Sequence, residues 1–370
     1  MNFRINPPCL FPLLGLITGS VFLVTPLSWL TPLLLASLLG RIKDLAVGPL
    51  FWGMFQFAFL FFAVHLWWLP VSLGEFFGPM SYLLYVLVLP ILSTMWSLTT
   101  VLTRWVFEGH FLFFLPFSWM LMEHLRSLGP FQFTWGTLGY AWVNSPVVQV
   151  ADLGGVPLLS FLTMLLACAL ADLRKKQGVW LLLLALPMLG GALLYGLVPP
   201  GRPEAREKVA LVQGNIPPRQ KIQRRQQAEL EVYLDLSRTL KTRDALVVWP
   251  ETASPVTVKG DLLSEMLKMQ PRWLVGNPRW EGDSYFNSVS AFSSTSSGRY
   301  DKRVLVPFGE SFPLQGQLSG VYSWVFASLG LPNLRGSPLG NVKPPLGWMG
   351  SFTAPTSVTS PPSLNSPDNW

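Results

Sequence analysis

Three ionisable side chains in the C-terminal half stand where a folded chain rarely places charge without a use for it. Glu251 follows Leu246, Val247, Val248 and Trp249, a short apolar run of the kind that fills a sheet interior, and Pro250 stops that run. Lys302 and Glu310 share the segment "YDKRVLVPFGE", with Lys302 at an apolar run and Glu310 in the loop beyond it. A carboxylate and an ammonium that converge near an apolar substrate shift each other's proton affinity toward acid–base work. Each also has an ordinary reading: Glu251 as an early-helix carboxylate favoured by the helix dipole, Lys302 as a solvated strand residue, Glu310 as a loop residue. Such a set usually needs one more part, a nucleophile. The chain has two cysteines, Cys9 and Cys168, far apart and both in apolar surroundings. They indicate neither a disulfide framework nor a Cys-based metal site, and three scattered histidines add no metal site.

The elements that must position these residues read as alternating strand and helix. "KVALVQGN", "ALVVWPE", "RWLVGNPRW", "SYFNSVSAFSS" and "YDKRVLVPFGE" read as strands, the last followed by a loop. Residues 219–242 and "DLLSEMLKM" have the spacing of surface helices. That alternation argues for an α/β sheet, in which active groups gather at strand ends.

The other half is of a different kind. Half of the 370 residues are hydrophobic and 13% are charged, well below an ordinary soluble protein. Eight of the 27 Lys and Arg and six of the 20 Asp and Glu lie before residue 200; the remaining 19 basic and 14 acidic residues leave the second half at +5. Its basic residues are scattered, which suits anionic lipid headgroups and argues against nucleic acid as a partner. Apolar stretches at roughly 8–24, 26–40, 49–70, 80–103, 111–128, 156–172 and 179–198 read as about seven membrane spans, the second of them short. Basic residues fall in alternate loops, at Arg41 and Lys43, at Arg104, and at Arg174 to Lys176. This places the N-terminus and those loops inside and the segment after Val198 outside. His65, beside Trp67 and Trp68, reads as an interfacial anchor. Glu123 and Arg126, on one helix face, read as an interfacial ion pair or as a lip of the active site. An ion-coupled transporter is disfavoured, because the ionisable groups avoid the span centres.

At this point the motifs resemble a family. "VALVQGNIP", "VVWPETASP", "GNPRW" with "YFNSV", and "YDKRVLVPFGESFPL" follow the order and spacing of bacterial apolipoprotein N-acyltransferases, and the multi-span half with "PFSWMLMEHLRS" resembles their membrane domain. The resemblance covers roughly residues 1–335. It implies a polytopic α-helical membrane domain (1–198) followed by an α/β nitrilase-like αββα sandwich (199–342) with a Glu-Lys-Cys triad, in a bacterial plasma membrane with the sandwich outside. Glu251 would be the general base, Lys302 would stabilise the oxyanion, and Glu310 would orient the site. Trp135 and Trp249 join Glu123 and Arg126 as substrate-lip candidates. The implied partners are a phospholipid acyl donor, a diacylglyceryl-apolipoprotein acceptor and the membrane, with no cofactor.

The sequence departs from the family's pattern where it matters most. The family's nucleophilic cysteine falls downstream of its lysine, and no cysteine follows Cys168 here. Residues 343–370, rich in Ser, Thr and Pro, do not have the composition of a packed core. Ile222 stands where a tryptophan is usual, and "FTW" at 133–135 replaces Phe-Pro-Trp. The expectation is a truncated or frame-altered chain that forms no acyl-enzyme. The alternative is a non-catalytic lipid- or lipoprotein-binding scaffold.

Overall fold

The structure, a computed structural model, describes residues 7–129, 131–198, 208–216, 226–242, 244–281, 284–294, 296–307 and 310–328. Ile222, the first residues of the expected helix at 219–242, and the tail at 343–370 lie outside them. The chain divides into two compact units, residues 1–202 and 203–370.

The first unit is helical. α1 (Pro7–Leu23), α2 (Thr31–Ile42), α3 (Val47–His65), α4 (Leu69–Phe77), α5 (Met80–Phe107), α6 (Phe111–Arg126), α7 (Ala151–Ala171) and α8 (Lys176–Leu197) follow one another. Among the described residues four stretches are long and apolar enough to cross a membrane: Val47–His65, Met80–Arg126, Pro146–Ala171 and Lys176–Leu197. The second of these contains both α5 and α6, parted by a 3-10 turn at Glu108–His110. α2 has only 12 residues, or about 18 Å of rise. A 3-10 segment, Thr25–Leu30, runs directly into it.

Burial in this unit follows packing between helices. α1 packs on α3, α3 on α5, α6 on α7, and α7 on both α2 and α8. At the α1–α3 crossing a side chain on Gly15 would lie 2.1 Å from the Phe57 carbonyl oxygen, so only hydrogen fits. α7 is interrupted at Gly155, whose φ of 67° breaks the helix just before Pro157, so its long arm starts where the expected span at 156–172 does. The basic loops meet at one end: Lys43 pairs with Asp172, Lys175 lies 3.8 Å from both Asp44 and Asp172, and Arg104 donates to the Lys43 carbonyl at 2.9 Å. His65, at the opposite end of α3, is half-buried, stacked on Phe61 and edge-on to Phe22.

The second unit holds a five-stranded mixed sheet in the order β1 (Val209–Leu211), β2 (Leu246–Trp249), β3 (Arg272–Glu281), β4 (Ser284–Ser293), β5 (Ser297–Asp301). β1, β2 and β3 are parallel, and β3, β4 and β5 are antiparallel. α9 (Gln226–Arg238) and α10 (Gly260–Met269) supply the parallel crossovers, and α11 (Gln315–Ser328) follows the sheet. Side chains alternate across the pleat, so Val247, Trp249, Trp273 and Val275 share one face with Tyr233, Leu234 and Met266 of the helices packed on it. The other face carries Val209, Leu211, Val248 and Leu274 by the same alternation, and Leu211 is 78% exposed.

One expected strand is displaced. Pairing with β4 ends at Asp301, and "KRVLVP" runs on without joining the sheet. The more apolar segment loses the pairing because Asp301, fully buried, is held from two sides. It accepts from the Arg279 guanidinium of β3 at 3.0 and 3.2 Å and from the Ser288 hydroxyl of β4 at 2.5 Å.

Candidate active site

β2 ends at Trp249, and the backbone turns sharply at Pro250 and Glu251 with Thr252 in the left-handed region at φ 52°. The turn lies directly over β3. A side chain on Gly276 would come within 2.2 Å of the Pro250 carbonyl oxygen and 2.7 Å of the Glu251 Cα, which explains the glycine in "VGNPRW". The Ser254 amide then donates to the Gly276 carbonyl at 3.0 Å and ties the turn down.

Lys302 follows β5 immediately, and its amide donates to the Asn287 carbonyl at 2.8 Å, so the end of β5 is fixed against β4. Its ammonium lies 3.0 Å from Glu251 Oε1 and 2.8 Å from Glu310 Oε1. Glu310 Oε2 accepts the Val306 amide at 2.9 Å, which orients that carboxylate. Asn287 completes the group: its side-chain amide donates to Glu251 Oε1 and, at 3.2 Å, to Glu310 Oε1. Two carboxylates therefore share two donors, one charged and one neutral. Glu251 meets partners 36 and 51 positions further along the chain here.

The electrostatics follow from this sharing. Partial burial works to raise the Glu251 pKa, but the hydrogen bond and charge of Lys302, with Asn287 behind them, hold it below the ordinary carboxylate value. Burial works to lower the Lys302 pKa, and the hydrogen bonds it donates to its two carboxylate partners overcome it and raise the value. Glu251 is thus ionised and Lys302 protonated at neutral pH. The Glu251 side chain is 56% exposed, against 31% for Lys302 and 22% for Glu310, so the base side of the group is the open side. A cleft of about 440 Å³ opens beside it at the C-terminal ends of β1 and β2, lined by Leu211, Gln213, Asn215, Val248, Pro250 and Glu251 among others. Strand-end clefts of this kind are where α/β sheets hold ligands.

The structure brings together Glu251, Lys302 and Glu310. Trp249, expected at a lip, is elsewhere. Strand alternation turns it to the helix-covered face, where it is 2% exposed, donates to the Ser237 hydroxyl at 3.0 Å and packs against Tyr233 and Trp273. Glu123 and Arg126 are 4% and 5% exposed inside the helical unit, which makes them buried residues and no exposed interfacial pair. Trp135 is 37% exposed, at the end of that unit opposite the basic loops. Asn287 and Asp301 went unread in the sequence. The motif "YFNSV" shows only an alternating strand, and what marks Asn287 is its place on the uncovered face one strand from Glu251.

A helical unit with several stretches long and apolar enough to span, followed by an α/β unit, defines a multi-pass membrane protein with an α/β domain. Comparison narrows this. The apolipoprotein N-acyltransferase N-terminal domain matches residues 14–169. The apolipoprotein N-acyltransferase of Chromobacterium violaceum is 30% identical over 368 residues, covering 92% of this chain and 69% of the relative. That of Pseudomonas putida is 33% identical over 319 residues, covering 79% and 62%. That of Wigglesworthia glossinidia brevipalpis is 28% identical over 291 residues, covering 71% and 57%. The chain belongs to the apolipoprotein N-acyltransferase family, and it spans roughly three fifths of the length of the last two relatives.

Proposed function

We propose that the α/β unit carries the base and cation of an acyl-transfer site that serves lipoprotein N-acylation. Lys302 held between Glu251 and Glu310 is the observation that carries this reading. In the scheme that the family implies, a thiolate attacks the acyl ester of a phospholipid. A C–S bond forms, a C–O bond breaks, and the lysophospholipid leaves with the proton that the base took from the thiol. The amine of a diacylglyceryl-cysteine then attacks the thioester; a C–N bond forms, the C–S bond breaks, and the amine proton returns to sulfur by way of the base. Glu251, ionised and on the open side, takes the role of base. Lys302, kept protonated by two partners, faces the developing oxyanion. Glu310 orients Lys302. The uncovered apolar sheet face with Leu211 and Leu274 supports a second layer there, as in an αββα sandwich.

The thiol is the part these 370 residues do not supply. Cys9 and Cys168 both belong to the helical unit, and Cys168 is fully buried. Incubation of the chain with a phospholipid bearing a labelled acyl group, followed by intact mass, tests this. No covalent adduct is expected, and an adduct on any residue overturns the expectation. The second reading is a scaffold that binds lipid or lipoprotein without transfer. Retention of a diacylglyceryl lipopeptide with no acylated product favours it over an enzyme.

In this reading the α/β unit lies outside the plasma membrane, and the basic residues gathered where α2, α5 and α7 end support it. A reporter active only in the cytoplasm, fused after residue 205, is expected to be silent; activity there reverses the orientation.

A further inference from the structure

Glu123 and Arg126 lie one turn apart near the end of α6, at the end of the helical unit away from its basic loops, and the proposed chemistry uses neither. Their hydrogen bonds go to a neighbouring segment. Glu123 Oε1 accepts from the Trp119 indole at 3.1 Å and from the Leu138 amide at 3.0 Å. The Arg126 guanidinium donates to the Trp135 carbonyl at 3.1 Å and to the Thr137 hydroxyl at 3.2 Å, while its own carbonyl accepts the Phe133 amide at 2.9 Å. α7 continues the fastening: the Gly139 amide donates to Ser160 Oγ at 2.7 Å, and the Trp142 indole to Thr163 Oγ1 at 2.8 Å. Residues 133–142 are thereby fixed at almost every second position.

A carboxylate and a guanidinium at this depth are costly, and a well-packed apolar pair would hold two helices together as well or better. Glu123 Oε2 and Arg126 Nε have no partner among the described residues, so the pair is not closed on itself. What it does provide is one backbone path for residues 133–137, which lead into a short 3-10 helix at Leu138–Trp142 and have no helix or strand of their own. That path presents Trp135. Its ring meets Trp68 edge-on at 5.5 Å and Phe133 at 5.0 Å. Exposed Trp67, Leu125 and Phe131 extend the same apolar, aromatic end of the unit. Indole rings at the end of a membrane-spanning unit suit the zone where acyl chains meet headgroups, since they offer an apolar body and one N–H donor.

We infer that Glu123 and Arg126 are positioning residues that act through the backbone of residues 133–138 to hold Trp135 as a ledge for a phospholipid. Continuity with the lipid-facing surface of α6 selects a phospholipid as occupant, and the inference does not depend on acyl transfer.

The test uses the full chain in nanodiscs of phosphatidylethanolamine and phosphatidylglycerol, with a benzophenone amino acid replacing Trp135 and, in a reference sample, Leu121 on the lipid-facing side of α6. A phospholipid adduct by mass is expected at both sites. Glu123→Ala should lower the adduct at 135 about fivefold, on the scale of one lost hydrogen bond, and leave that at 121 unchanged. Glu123→Gln keeps the carbonyl acceptor for Trp119 and Leu138 and should restore the yield. Hydrogen exchange should rise in 132–142 alone. If Glu123→Ala does not fold, Arg126→Lys serves, because it keeps the charge but loses the two-pronged reach. The inference is overturned by no lipid adduct at 135, by an unchanged yield there in the alanine or lysine variant, or by exchange that rises equally across α3, α5 and α7.

Discussion

Two charged groups in this molecule are built in opposite ways. Glu251, Lys302 and Glu310 point their charges at one another and leave one carboxylate in contact with solvent, whereas Glu123 and Arg126 are buried and direct their bonds to backbone and neutral partners. Charges that answer each other at the mouth of a cleft can change proton affinity as a substrate arrives. Charges that answer a backbone hold a shape. The difference predicts where mutation costs stability and where it alters titration alone.

The largest effect belongs to the buried pair. Arg126→Met removes two hydrogen bonds to residues 135 and 137 and leaves Glu123 uncompensated, at a cost of about 4 kcal/mol. Unfolding in mixed detergent micelles measures it; a change below about 1 kcal/mol would place the pair in water and undo the contrast.

Next comes a residue that joins the two styles. Asp301 is fully buried beneath the open cluster, and its bonds from Arg279 and Ser288 fix the strand end from which Lys302 projects. Asp301→Ala leaves Arg279 without its buried partner and is expected to cost about 3 kcal/mol in the opening of β3 to β5. Hydrogen exchange over 285–301 reports that opening, and unchanged protection would show that β5 is held by its ladder alone.

Gly276→Ala tests the backbone support of the base. The added methyl would meet the Pro250 carbonyl and the Glu251 Cα, both backbone atoms that cannot swing aside, so a cost of about 2 kcal/mol and a displaced Glu251 are expected. Thermal unfolding gives the first, and the carboxylate resonance of Glu251 gives the second. A resonance identical to that of the unsubstituted chain would mean that the turn does not depend on the glycine.

Much of this was legible in the sequence, and the gaps have physical causes. The run from Leu246 to Trp249 followed by Pro250 reads as a strand stopped before a carboxylate, and the strand and the turn are where expected. Lys302 was read within a strand because Val304, Leu305 and Val306 look more sheet-like than Ser297 to Asp301. The buried Asp301–Arg279 pair, invisible to local propensity, decides the pairing instead. Trp249 is a lip candidate only by the family resemblance, and the alternation of β2 sends it to the helix-covered face. Asn287 escaped because a lone amide in an alternating strand is ordinary until the fold sets it beside Glu251. Helix spacing put Glu123 and Arg126 on one face; their burial depends on the 133–142 segment folding over them, which no local pattern encodes.

The smallest effect on stability, and the sharpest on titration, is expected from Lys302→Met. The pairs are partly exposed, so their loss should shift stability by less than about 1 kcal/mol near pH 7. The carboxylate is another matter. With the ammonium gone, burial acts on Glu251 against its hydrogen bonds with Asn287 and Glu310 only, and its pKa should rise from its depressed position. The pH dependence of stability follows in sign. In the unsubstituted chain the Glu251 contribution is present above the ordinary carboxylate value of 4.5 and is lost as pH falls through the lower folded value. The Lys302 contribution is present below 10.5 and is lost as pH rises through the higher folded value. Stability should therefore be level between those limits as far as this cluster is concerned. In Lys302→Met the acid-side loss should shrink, because the folded Glu251 value moves back toward the unfolded one, and the alkaline loss should vanish. Infrared titration of the carboxylate stretch with isotope-labelled glutamate, compared with Glu251→Gln to assign the band, reads the shift directly. A Glu251 band that titrates at the same pH with and without Lys302 would mean that the 3.0 Å contact carries no coupling, and the cluster would lose its claim to acid–base chemistry.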